Sequence, residues 1–214
     1  MKFPRSLALL LLAAATLAGA APSPLAISVK NPRGGPVTDA VISLVPLDGA
    51  VPPATDASTS ISQQNLEFTP YVTVVQAGTR VLFPNNDTVQ HHVYSLSKAK
   101  KFELPLYNPG QNESFVFDVS GLVILGCNIH DWMLSYIVVV PTPYFVKTDA
   151  SGLANLAAPP GRYRLELWHP RQAASLTQEI TLAADAPAKR DFTLTLKADK
   201  RIRRGGATKT GGYR

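Results

Sequence analysis

Short runs of alternating apolar and polar residues, rich in Val, Ile, Leu and aromatics, recur along this chain, and long stretches of helical periodicity are missing. The clearest runs cover residues 26–29, 40–45, 71–75, 80–83, 91–96, 114–119, 121–125, 136–140, 162–168 and 192–196. Turn-forming clusters separate them: Asn31-Pro-Arg-Gly-Gly-Pro36, Asp48-Gly49, Asn108-Pro-Gly110, Asp149-Ala-Ser-Gly152 and Pro159-Pro-Gly161. Many short strands at this spacing predict an all-β sandwich.

The first residues follow a different pattern. Lys2 and Arg5 precede an apolar run at 7–17, and the small residues Ala18-Gly-Ala-Ala21 come next. That is the layout of a secretory signal peptide over residues 1–21, cleaved after Ala20 or Ala21, with an apolar region too short to span a bilayer. No cysteine lies there to take a lipid anchor. The later run at 134–140 ends at Pro141, so no transmembrane segment is expected in the mature chain. The expectation is an exported, periplasmic protein.

Charge sharpens this picture only at the other end. The net charge of +6 arises entirely after residue 196, in a Gly-rich stretch with seven basic residues and one acidic one. Such a segment lacks the apolar residues to offset ordering, so 197–214 is expected to be a disordered basic tail. Export argues against nucleic acid as its partner.

The single cysteine, Cys127, excludes an internal disulfide. In an oxidising compartment a lone thiol is an oxidation liability unless it is buried or holds a metal. Its neighbours point to the metal. Cys127-Asn-Ile-His130-Asp-Trp-Met133 lies between two strand-like runs, so one loop presents a thiolate, an imidazole and a thioether. Copper favours two imidazoles and a thiolate in a plane with a weak axial thioether. The second imidazole must come from elsewhere, and His91-His92 begins the strand after the turn at Pro84-Asn-Asn-Asp87. Zinc could use the Cys and His ligands but has no use for a thioether.

Two family resemblances follow from these residues. The span 68–93, FTPYVTVVQAGTRVLFPNNDTVQHHV, resembles the first half of a blue-copper (cupredoxin) domain, and the Cys-x2-His-x2-Met loop is similar to the short loop of amicyanin. The whole chain resembles exported cupredoxin-containing proteins labelled methylamine utilization proteins, through HHVYS, FELPLY, LGCNIHDWM and TPYF. The resemblance implies a Greek-key cupredoxin domain over 62–141 and His91 as the strand ligand, with His92 standing where Asn or Thr is common. Strand alternation also allows only one of the two to face the metal, leaving His92 as the alternate ligand or a supporting residue. On the flanks, GGPVTDAVISL and TDASGLANLAAPPGRYRLEL resemble the opening and close of a carboxypeptidase-regulatory-like, transthyretin-like sandwich. They suggest a small module, residues 25–50 plus 144–196, into which the middle domain is inserted or on which it packs.

The expected metal ligands are therefore His91, Cys127, His130 and Met133 around one type 1 copper. Trp132 and Asn128, with His92, are candidates for a docking patch or for supporting the ligands. Lys98, Lys100 and Lys101 form a basic cluster read as a solvated loop. His169, beside Trp168, is read as a structural residue packing on that ring. No nucleophile–base arrangement is visible and four protein ligands leave no open metal position, so an enzyme is not expected. The implied function is single-electron transfer between redox proteins; the family label suggests a dehydrogenase and a cytochrome. The rivals are a periplasmic copper carrier or store, and a cell-envelope binding module with a secondary copper site.

Overall fold

Alternation of period two commits each run to a sheet with one face inward, and the computed structural model, which describes residues 21–199 apart from 56 and 185, is all-β. The expected signal peptide up to residue 20 and the tail from residue 200 lie outside the described residues. The strands begin with β1 (Ser23–Lys30), β2 (Val41–Pro46), β3 (Ser58–Ser60), β4 (Ser62–Gln64), β5 (Glu67–Thr69) and β6 (Val72–Gln76). They continue with β7 (Thr79–Pro84), β8 (His91–Ser97), β9 (Lys100–Tyr107), β10 (Asn112–Phe117), β11 (Gly121–Gly126) and β12 (Leu134–Val140). The chain closes with β13 (Phe145–Lys147), β14 (Leu153–Ala158), β15 (Gly161–Trp168), β16 (Leu176–Leu182) and β17 (Ala188–Thr193).

Each alternating run overlaps a strand, although the last strand sits earlier than the run at 192–196. The strands that alternation does not reveal have local reasons. Strand β9 carries Pro105, which is tolerated because β9 is the edge of its sheet. Strand β14, LANLAA, is alanine-rich and has weak intrinsic β preference.

Two apolar clusters organise the sheets. The outer strands form the sheets β14-β1-β17 and β13-β2-β15-β16, around Ile27, Ile42, Leu44, Leu165, Leu167 and their neighbours. The strands between β2 and β13 form β10-β7-β3, β6-β12-β11-β8-β9 and the hairpin β4-β5, around Val81, Phe83, Phe117, Leu125 and Ile137. Strand β3 joins this inner group, upstream of residue 62, by pairing parallel to β7. Strand β13 returns the chain to β2 as its antiparallel neighbour. Lys147 links the groups: its Nζ donates to the Val72 carbonyl at 2.9 Å and pairs with Asp39 at 2.8 Å. The Tyr136 and Trp168 rings meet edge-on nearby, 5.6 Å apart. Among the described residues no helix is long and apolar enough to cross a membrane.

The first residues expected in the tail are held: Lys197 donates its N–H to the Arg171 carbonyl, and Arg171 Nε donates to the Lys197 carbonyl. These two bonds hold Lys197, and the Arg171 guanidinium also reaches the Asp199 carboxylate at 4.0 Å. His169 is buried in the same corner. Its Nδ1 accepts the Arg171 N–H at 3.1 Å, so it is structural through a turn hydrogen bond, while the Trp168 ring meets Tyr136.

The turn before β14 shows why one glycine is required. Asp149 Oδ1 accepts the N–H groups of Ser151 and Leu153, and Gly152 takes φ +71°. A Cβ at Gly152 would lie 2.4 Å from the Val29 carbonyl oxygen, itself backbone that cannot swing aside. Gly152→Ala is expected to cost about 2–4 kcal/mol in urea unfolding, from left-handed strain plus overpacking, with Ser151→Ala as the mild control.

A second expectation comes from the inner core. Tyr107 is buried, donates its hydroxyl to the Phe83 carbonyl at 2.9 Å and accepts from Gln63 Nε2. Burial, opposed by the Gln63 bond and helped by the charges of Glu113 and Cys127, pushes its pKa up to about 12. The unfolded chain ionises at about 10, so folding stability is intact below about pH 10 and falls as pH rises through about 12. Urea midpoints measured from pH 9 upward should show that decline, and Tyr107→Phe should flatten it.

Candidate metal centre

Strand order brings the chemistry together. Strand β11 pairs with β12 with Gly126 opposite Leu134, so residues 127–133 form a closed loop at one end of the sheet. On its other side β11 meets β8, with Gly126 opposite Tyr94. That pairing places His91, the first residue of β8, beside the loop that follows β11. The loop is tightened by Met133 N–H donating to the His130 carbonyl at 2.9 Å.

One ligand atom each from His91, Cys127 and His130 lies within 4.8 Å of the others. Cys127 Sγ is 3.7 Å from His130 Nδ1, and the His91 and His130 rings are 5.0 Å apart by their centroids. A planar site with metal–ligand bonds of roughly 2.0–2.3 Å separates its nitrogen and sulfur atoms by roughly 3.5–3.8 Å. The spacing fits. His91 is 0% exposed and Cys127 4%.

His91 supplies the sharpest test of fit. Its Nε2 lies 3.1 Å from Asp87 Oδ2, and an ionised carboxylate only accepts, so Nε2 carries the proton. Nδ1 is then a bare lone pair, buried and without a hydrogen-bond partner. An unsatisfied buried acceptor costs about 1–3 kcal/mol, and a metal ion held with Cys127 and His130 would satisfy it. Asp87 is itself well held. Burial works against its ionisation, but the Leu66 N–H, the His91 ring and the Thr88 N–H outweigh it and keep its carboxyl below the ordinary value.

The other sequence candidates take distinct places. His92 does not join the cluster. A bulge opposite it interrupts the β8–β9 register, and its Nε2 meets Glu103 Oε1 at 2.8 Å on the other face. The reason is pleat: neighbours on a strand face opposite sides, so His91 alone turns toward Cys127. Met133 is buried in the same apolar cluster as Cys127. Trp132 packs on His130, 5.4 Å between rings, and donates its indole N–H to the Leu66 carbonyl at 3.0 Å. Asn128 is exposed and borders a cleft with His92 and Glu103. Lys100 stands over the Phe115 ring at 5.7 Å, so one member of the basic cluster is packed rather than simply solvated.

Sequence reasoning missed Asp87 and Leu66. The Asn-Asn-Asp87 turn was visible, but its role depends on a hydrogen bond to a distant hairpin.

No family model matches the sequence, and no curated protein matches it. Solved structures similar in part include a purple cupredoxin from Nitrosopumilus maritimus, at 25% identity and TM-score 0.35 over 40% of this chain and 100% of that one. A copper-containing nitrite reductase from Thermus scotoductus SA-01 shows 21% identity and TM-score 0.38, over 44% of this chain and 25% of that one. A reduced amicyanin variant shows 19% identity and TM-score 0.37, over 48% of this chain and 99% of that one.

The cluster is testable with a spectroscopic metal. Co(II) titrated into the protein should bind one per chain with a thiolate charge-transfer band. His91→Ala, Cys127→Ala and His130→Ala should each weaken binding at least about 100-fold, whereas His92→Ala should leave it within about threefold.

Proposed function

We propose that this chain is an exported cupredoxin-type protein with one type 1 copper, passing single electrons between redox partners. The observation that carries the reading is the His91–Cys127–His130 cluster, whose buried His91 has an Nδ1 without a hydrogen-bond partner. Copper bound there would supply a one-electron couple. The protein's part is to hold the ligands still, so that gaining or losing an electron requires little movement. His91 is fixed by Asp87, His130 by the tight loop and the Trp132 ring, and Cys127 by the β11 end beside Tyr94. Met133, at the loop's far end, is assigned the weak axial position.

Trp132 and the half-buried His130 form the natural edge for electron exchange with a partner, since the other ligands are sealed. On this reading the chain is not an enzyme. The outer strands, with their own apolar cluster, are assigned to a regulatory-like module that carries the copper unit and offers a second surface for a cell-envelope partner.

The deciding measurement is the visible and EPR spectrum of the protein with Cu(II), beside Cys127→Ser. An intense thiolate-to-copper band with narrow hyperfine splitting, lost in the variant, supports the reading. A pale protein with ordinary copper splitting, unaffected by the substitution, overturns it. Met133→Leu should keep the band and raise the reduction potential, because losing a donor destabilises Cu(II) more than Cu(I).

A further inference from the structure

Hairpin β4–β5 turns through Asn65 and Leu66, both in the left-handed region at φ 55° and 59°. Paired strands joined by two such residues make a turn of the kind usually completed by Asn-Gly, so leucine at the second place is strained. Strain of this sort persists where surrounding contacts over-determine it. The contacts here are specific. The Leu66 N–H donates to Asp87 Oδ2 at 2.7 Å, the same oxygen that meets His91 Nε2. The Leu66 carbonyl accepts the Trp132 indole N–H at 3.0 Å, and the Trp132 ring packs on His130.

We infer that the Leu66 backbone is a positioning brace that ties the two histidine sides of the proposed copper centre together. The two peptide planes that flank its Cα are each clamped: the N–H of one fixes the carboxylate that orients His91, and the carbonyl of the other fixes the indole that backs His130. The hairpin is otherwise anchored close by. Asn86 donates its N–H to the Gln63 carbonyl and its Nδ2 to Ser62 Oγ, so hairpin and Asp87 turn move as a unit. His91 lies in β8 and His130 in the loop between β11 and β12, and the brace reaches them through Asp87 and Trp132. The role rests on the copper reading for its purpose, but the brace itself is a property of the metal-free fold.

The test uses NMR of the metal-free protein together with the copper spectrum. Trp132→Phe keeps an aromatic ring at that position and removes the indole donor to Leu66. Exchange of the Leu66 N–H should quicken at least about tenfold, and the His91 ring nitrogens should move from one tautomer toward a mixture. Asp87→Asn should reciprocally speed exchange of the Trp132 indole N–H. Leu66→Gly retains both backbone groups and should behave as the parent in each readout. Amides of the central β11–β12 pairing serve as the control for intact folding. Unchanged Leu66 exchange and His91 shifts in Trp132→Phe would overturn the brace, as would loss of the His91 signature in Leu66→Gly, which would assign the role to side-chain packing. With copper, Trp132→Phe should broaden the hyperfine splitting while retaining the thiolate band. If the parent protein shows no such band, the copper reading fails and the metal-free exchange data still decide the brace.

Discussion

The centre of this molecule depends on a histidine with nowhere else to turn. His91 is sealed in the sheet beside Cys127 and His130, one ring nitrogen is committed to Asp87, and the other is buried without a hydrogen-bond partner. A buried polar atom of that kind is costly unless something satisfies it, and a thiol and a second imidazole lie close to the same ring. That donor set can hold a metal ion. The surrounding architecture serves to keep these groups in place.

Sheet order provides that service in three steps. Strand β11 lies between β12 and β8, so one end of one strand meets both the ligand loop and the start of β8. The Tyr94 ring lies over Gly126 at that end: a Cβ there would come within 2.8–2.9 Å of the ring and hydroxyl, so a side chain would require the ring to shift. The hairpin β4–β5 then closes the far side through Leu66. Each contact joins segments distant in sequence, which gives the centre rigidity that the loop alone lacks.

The outer strands present a different physical situation. They have their own apolar cluster and meet the inner group through Lys147, the Tyr136–Trp168 ring pair and the chain itself. Contacts of that kind set orientation without merging the cores.

Period-two alternation and turn residues determined the all-β class, because they act through local geometry that any neighbouring strand exploits. The donors of the His91–Cys127–His130 cluster stood out in the sequence as well: a lone cysteine with a spaced His, and a His pair, lie in two short motifs. Which of His91 and His92 faces inward was narrowed by alternation but decided by β8 meeting β11, since a strand's pleat fixes that two neighbours part and not which of them meets the loop. Strands β9, β14 and β16 escaped because edge position and cross-strand pairing, rather than propensity, hold them. Asp87, Leu66 and the anchoring of Lys197 were beyond sequence for one reason: each works through a hydrogen bond whose two ends are brought together only by the tertiary fold.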